Sequence, residues 1–118
     1  MEYVKSAKTI NLLRGKSYQR LINEELGSFG IKAGHVVLKK GENVGLHNTG
    51  QREEIVIVLK GRGRASIGKE KKLFIDKTKI LYIPPYTEHD IKNCEAYPLE
   101  YIYITSSINN GEKNKNIN

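Results

Sequence analysis

The chain has 118 residues, a net charge of +7 from 20 Lys and Arg against 13 Asp and Glu, and one cysteine, Cys94. That length fits one domain able to bury a core unaided, and a lone cysteine excludes an internal disulfide framework. The longest apolar run, residues 55–59, is too short to cross a bilayer, and residues 1–8 carry no apolar leader core, so a cytoplasmic protein with no membrane partner is expected. The excess of lysine is scattered over strand ends and turns without interleaved aromatics, so nucleic acid is not expected as a partner.

In chain order, residues 1–17 form a lead-in with a short apolar patch, Ile10, Leu12 and Leu13, closed by the turn chemistry of Arg14-Gly-Lys-Ser17. Residues 18–22 read as a strand with Tyr18, Arg20 and Ile22 on one face. The run 28–39 is interrupted by Gly30 and Gly34 and predicts two strands or one bent strand. A turn at 41–45 feeds a short strand carrying His47. Residues 54–59 are continuously apolar and β-branched after Glu54, which predicts a strand buried on both faces. With Glu54, Val56 and Val58 turned to the interior, Ile55, Ile57 and Leu59 face outward and need a cover, either the N-terminal strand or a second subunit.

Residues 61–68 alternate, with Gly63, Ala65 and Ile67 inward and Arg62, Arg64 and Ser66 in water. A charged hairpin tip at 68–72 leads into strands at 73–75 and 80–83, the second ending at Pro84-Pro85. The last strand, 99–105, sets Tyr101 and Tyr103 on one face and Ile102 and Ile104 on the other. Short strands at regular spacing with no competing helix pattern mean an all-β barrel or sandwich. The segment 106–118 has five asparagines, two lysines and little apolar content, and predicts a frayed tail. One barrel over 18–105, preceded by a lead-in and followed by that tail, is the expected organisation.

Two of the three histidines, His47 and His89, fall in the stretch 41–93 together with Glu54. Because a strand sends neighbouring side chains to opposite faces, paired strands can aim two imidazoles and a carboxylate into one cavity. Those groups suit a divalent transition metal, Fe, Mn, Ni, Cu or Zn. Glu53 adjoins Glu54 but points to the other face, so only one of the two serves the cavity.

These residues carry a resemblance to the cupins, small jelly-roll barrels. The first cupin motif reads Gly, five residues, His-x-His, three or four residues, Glu, six residues, Gly, and Gly41, His47, Glu54 and Gly61 fall on it. Pro84, His89 and Asn93 fall on the second motif, Gly, five residues, Pro-x-Gly, two residues, His, three residues, Asn. Thr49 replaces the second histidine, Tyr86 the glycine after the proline, and Thr78 the leading glycine. The resemblance spans roughly residues 15–105 and implies a single-domain cupin-like jelly-roll barrel with His47, Glu54 and His89 as metal ligands; within the motif, counting back six from Gly61 selects Glu54 as the carboxylate, and counting three from Thr49 would select Glu53. It implies further that the chain acts on a small metabolite as a dioxygenase, isomerase or lyase, or is a metal-free binding or sensor barrel, and that it pairs as a dimer, while the net positive charge favours an anionic metabolite.

Around that set, Thr49 is placed by period two on the face of His47, where its hydroxyl would hold a metal-bound water or a ligand. Tyr101 and Tyr103 are candidates to line the cavity with their hydroxyls, as is Tyr82, and Tyr86 to cover its mouth. His35 is read as a partly exposed or hydrogen-bonded strand residue and Cys94 as a buried, inert thiol. No phosphate loop, serine triad or paired-carboxylate acid-base site is present.

Overall fold

Alternation of apolar and polar residues, punctuated by glycine and proline, becomes nine antiparallel strands in the computed structural model, which describes residues 6–108. They are β1 (Tyr18–Ile22), β2 (Ile31–Leu38), β3 (His47–Asn48), β4 (Arg52–Lys60), β5 (Gly63–Ile67), β6 (Lys71–Ile75), β7 (Ile80–Ile83), β8 (Glu88–Lys92) and β9 (Leu99–Ser107). A five-stranded sheet runs β1-β2-β9-β4-β7 and a four-stranded sheet runs β3-β8-β5-β6. Their facing sides enclose the core, in which Val36, Val56, Val58, Leu81, Ile83, Leu99 and Tyr101 of the first sheet meet Ala65, Ile75 and Ile91 of the second. Each fully buried aliphatic side chain of this kind contributes about 1.5–3 kcal/mol. Among the described residues none is helical, and no helix is long and apolar enough to cross a membrane. This is the all-β jelly roll that the motifs implied.

Several expectations are corrected. Of the two readings of the run 28–39, a single strand forms and the two-strand one falls, because Gly30 lies outside β2 and Gly34 is built into its ladder, opposite Tyr103. Its missing side chain is what the packing uses, since a Cβ at Gly34 would press on the ring of Tyr103. The last strand extends to Ser107, which pairs with Arg52, and of the tail read over 106–118, residues 109–118 lie outside the described residues. Arg64 and Ser66 are half-buried and not in water, because β5 is an inner strand paired with both β6 and β8. Cys94 is exposed, in the loop beyond β8. Tyr82 is on the outer face, where it donates to Glu53 Oε1 at 2.9 Å.

The β4 strand is buried on one face only. Glu54, Val56 and Val58 face inward, whereas Ile55 and Ile57 remain 36% and 37% exposed. The lead-in covers a different part of that outer surface. Gln19 of β1 accepts from Leu13 N at 2.7 Å and donates to Asn11 O at 2.9 Å, and Arg14 pairs with Glu100 Oε2 at 2.7 Å. The same Glu100 oxygen lies 2.6 Å from Nε2 of His35, which is fully buried. His35 is thus a hydrogen-bonded strand residue as expected, though not partly exposed. It faces away from the cavity.

Gly61 closes the β4–β5 turn with φ +86°, and a Cβ there would also press on the carbonyl oxygen of Pro98. Both costs act in the folded state, so Gly61→Ala is expected to lower stability by about 2–4 kcal/mol, combining left-handed strain with a backbone contact that cannot yield. Urea unfolding followed by circular dichroism checks it, with a lower midpoint at unchanged slope as the expected result.

Candidate metal centre

Strand pairing brings the motif residues together. β3 runs antiparallel to β8 with His47 opposite His89, and their rings sit 4.0 Å apart between centroids at 60°. Glu54 approaches from the other sheet, its Oε1 3.5 Å from His89 Nε2. One ligand atom from each of His47, Glu54 and His89 lies within 4.8 Å of the others. His89 is 1% exposed and Glu54 8%, while His47 stands at the open side of the cavity. The carboxylate selected by counting back from Gly61 is therefore the inward one, and Glu53 is spent outside on Tyr82.

Both imidazoles are held in a defined tautomer. His47 Nδ1 lies 2.8 Å from Gly45 O and His89 Nδ1 3.0 Å from Thr87 O. A carbonyl can only accept, so Nδ1 carries the proton of each neutral ring and Nε2 its lone pair. His89 Nε2 is fully buried and has no hydrogen-bond partner among the described residues, and 3.5 Å to Glu54 is a charge contact too long for a good hydrogen bond. A buried acceptor left unmade costs about 1–3 kcal/mol. Two free imidazole nitrogens beside a carboxylate are the donor set a divalent metal takes, with the backbone carbonyls as the outer partners that orient the rings. The residues fit the group.

Burial lowers the pKa of His89, but contact with Glu54, the Thr87 carbonyl and the nearby Asp90 charge outweigh it and leave the value above that of a free histidine. Asp90 also builds the loop that carries His47. Its two oxygens accept from Asn43 Nδ2 at 2.8 Å and Gly45 N at 2.9 Å, and Val44 N bonds Ile91 O at 3.0 Å. The chain before His47 is thereby tied to the strand that carries His89.

Thr49 lies just beyond β3, at the edge of the cavity. Its hydroxyl donates to Pro84 O at 2.7 Å and accepts from Thr87 N at 3.0 Å, so it can meet a bound molecule only as an acceptor. It staples the loop 84–87, in which Tyr86 takes φ +56° and donates its N–H to Gly50 O. The positive φ of this motif position is kept, and a tyrosine bears it with its side chain 59% exposed. Tyr86 is not among the residues lining the cavity.

The cavity has a volume of about 700 Å³. Tyr101 and Tyr103 line it as expected, the first 2% exposed and the second lying over Gly34 with its hydroxyl 2.7 Å from that of Tyr18. Burial raises the pKa of both Tyr101 and Tyr103, so both are neutral donors. The lining residues not singled out from sequence include Tyr18, Lys32, Arg52 and Thr105. Period two counted back from Glu54 places Arg52 on the inner face, and that signal was available.

Residues 34–105 match the family model described as the cupin domain. A stretch of 66 residues is 35% identical to an uncharacterized protein of Methanocaldococcus jannaschii, covering 56% of this chain and 52% of that protein, so the match spans about half the relative's length. Among solved structures, an RmlC-like cupin family protein with a double-stranded β-helix fold from M. jannaschii superposes with TM-score 0.75 at 18% identity, over 93% of this chain and 99% of that one. A cupin 2 conserved barrel domain protein from Salinispora arenicola gives TM-score 0.75 at 16% identity, over 97% and 100%. With the family model covering well over half the chain and the motif residues assembled in one cavity, the protein belongs to the cupin family.

Proposed function

We propose that the chain binds a divalent transition metal through His47, Glu54 and His89, and that the cavity above it takes a small anionic metabolite. The observation that carries this reading is the buried Nε2 of His89, unpaired and grouped with Glu54 and His47, which themselves line a pocket of ligand size. A metal held there supplies a Lewis acid for an oxygen of the bound molecule. The protein groups supply the rest: apolar walls from Val36 and Ile91, neutral hydroxyls from Tyr101 and Tyr103, and positive charge from Lys32 and Arg52. A metal-free binding barrel is the second reading, favoured by one observation, the commitment of Thr49 to the 84–87 loop at the position where the motif has its second histidine.

The outer face supports a homodimer. Strand pairing sets Ile104, Ile55 and Tyr82 in one row and Ile102, Ile57 and Ile80 in the next. Ile80 and Tyr82 are 63% and 53% exposed. A contiguous apolar patch on one sheet face is the kind of surface a two-fold axis pairs with its own copy, and a second copy of the chain is the occupant proposed here.

Protein purified without a histidine tag from metal-supplemented medium is expected to carry close to one equivalent of transition metal by elemental analysis. His47→Ala and His89→Ala should each lower metal affinity by at least about tenfold, as even outer partners of a metal are worth that much, while circular dichroism keeps the strand signal. Wild-type protein free of metal would leave the second reading standing. For the dimer, Ile57→Lys places an ammonium within the apolar patch, at a cost of several kcal/mol, and should turn a dimer into a monomer in sedimentation. A wild-type monomer at micromolar concentration would refute the pairing.

A further inference from the structure

The register of three strands places a second group of charges beside the metal centre. Glu54 of β4 pairs with Thr105 of β9, and Thr105 pairs with Lys32 of β2, so the three side chains form one row on the cavity face. Neighbouring strands are about 4.8 Å apart, which puts the root of Lys32 roughly 10 Å from that of Glu54 with Thr105 between them. Arg52 stands two residues before Glu54 on the same face, about 7 Å along the strand.

The Arg52 guanidinium folds back across the end of the sheet toward this row. Its Nε donates to Thr105 Oγ1 at 2.8 Å, and its Nη2 donates to Gly30 O at 2.7 Å and, more weakly, to Thr105 O at 3.5 Å. All three acceptors are neutral, so the bonds position the charge without compensating it. Nη1 makes no hydrogen bond among the described residues. Lys32, on the other side of Thr105, has no ion-pair partner among the described residues either. Thr105 is 9% exposed, and because its oxygen accepts from Arg52, its own proton is left to donate. Two cations and one hydroxyl donor therefore flank one spot of the cavity wall, and neither cation is ion-paired among the described residues, the Glu54 carboxylate of the same row being in contact with His89 instead. A bound acid group completes such an arrangement, and the planar guanidinium fork is suited to its oxygens.

We propose that Arg52, Lys32 and Thr105 form an anion subsite next to the metal centre, and that the ligand is a short molecule with two separated acidic or oxygen-bearing ends. One end meets the metal and the other, a carboxylate or a phosphate, is held by the subsite. The inference rests on the metal reading given above and narrows its substrate class. The row spacing selects the separation: the acid group of the ligand lies one to two strands from the Glu54 position.

The test uses full-length protein reconstituted with Mn²⁺, its metal content measured first, and calorimetric titration with butyrate, glutarate and 4-phosphonobutyrate at one ionic strength. Glutarate or the phosphonate is expected to bind at least about tenfold more tightly than butyrate, as a charge-assisted, forked contact allows, and the better of the two identifies the acid group. Lys32→Met, a change at an exposed side chain, should reduce that preference to about threefold or less at unchanged metal content, consistent with the loss of one of two cations. Arg52→Met should do the same, and the melting temperature separates loss of binding from loss of fold. Equal affinities for the three probes at full metal content, or a preference that survives in both variants, would overturn the subsite and leave the metal reading intact. If manganese does not bind, the metal reading falls, and the subsite stands only if Lys32→Met still weakens glutarate binding to the metal-free protein by about threefold.

Discussion

The position of β9 between β2 and β4 is the constraint on which the site depends. A strand paired on both sides fixes three rows at once, and a slip of one residue would send Tyr101, Tyr103 and Thr105 out of the cavity and Ile102 and Ile104 into it. The two faces of β9 are chemically distinct enough to prevent this. Tyr101 packs in the core at 2% exposure, while the outward Glu100 is claimed by His35 and Arg14. The outer cluster thus acts on the cavity indirectly: it rewards the one register in which Glu54, Thr105 and Lys32 share a row. Its charges are costly to bury unpaired, which makes any other register more expensive still.

The fold was legible because its signals are local. Period-two alternation gave β1 to the residue, and the inward set of β4 followed from the single assumption that Glu54 faces the lumen. The site was legible for a different reason: both histidines and the carboxylate sit at fixed distances from glycine and proline turns, and those turns set the approach of the strands. What sequence could not show depended on partners far along the chain. Gly34 looked like an interruption, because nothing near it reveals that the ring of Tyr103 will occupy its space. Arg64 looked solvated until β5 proved to be paired on both sides. Cys94 and Tyr82 were placed by hydrophobic preference, and the loop after β8 and the Glu53 carboxylate decided otherwise.

Lysine scattered along the sequence was read as a solvated surface, and for most of it that stands as the simplest account. Lys32 differs only through topology. It is brought beside Thr105 by a ladder that joins residues 73 positions apart, and beside Arg52 by hydrogen bonds that cross the sheet end. Charge counted along a chain says little about charge counted around a cavity, because β pairing sorts residues by parity and by register and ignores their separation.

Thr49 shows how the loop beside the cavity is held by a hydroxyl at the position where the cupin motif has its second histidine. An imidazole there could bind a metal but could not at once donate to Pro84 O and accept from Thr87 N in the way the threonine hydroxyl does. Those two bonds fix the loop 84–87, and Thr87 in turn supplies the carbonyl that orients His89 through its Nδ1 proton. The threonine therefore works through His89: by holding Thr87 it holds the tautomer that leaves Nε2 free. A metal held by His47, Glu54 and His89 alone would keep coordination positions open, and Lys32, Arg52 and Thr105 line the same cavity as His47 and Glu54.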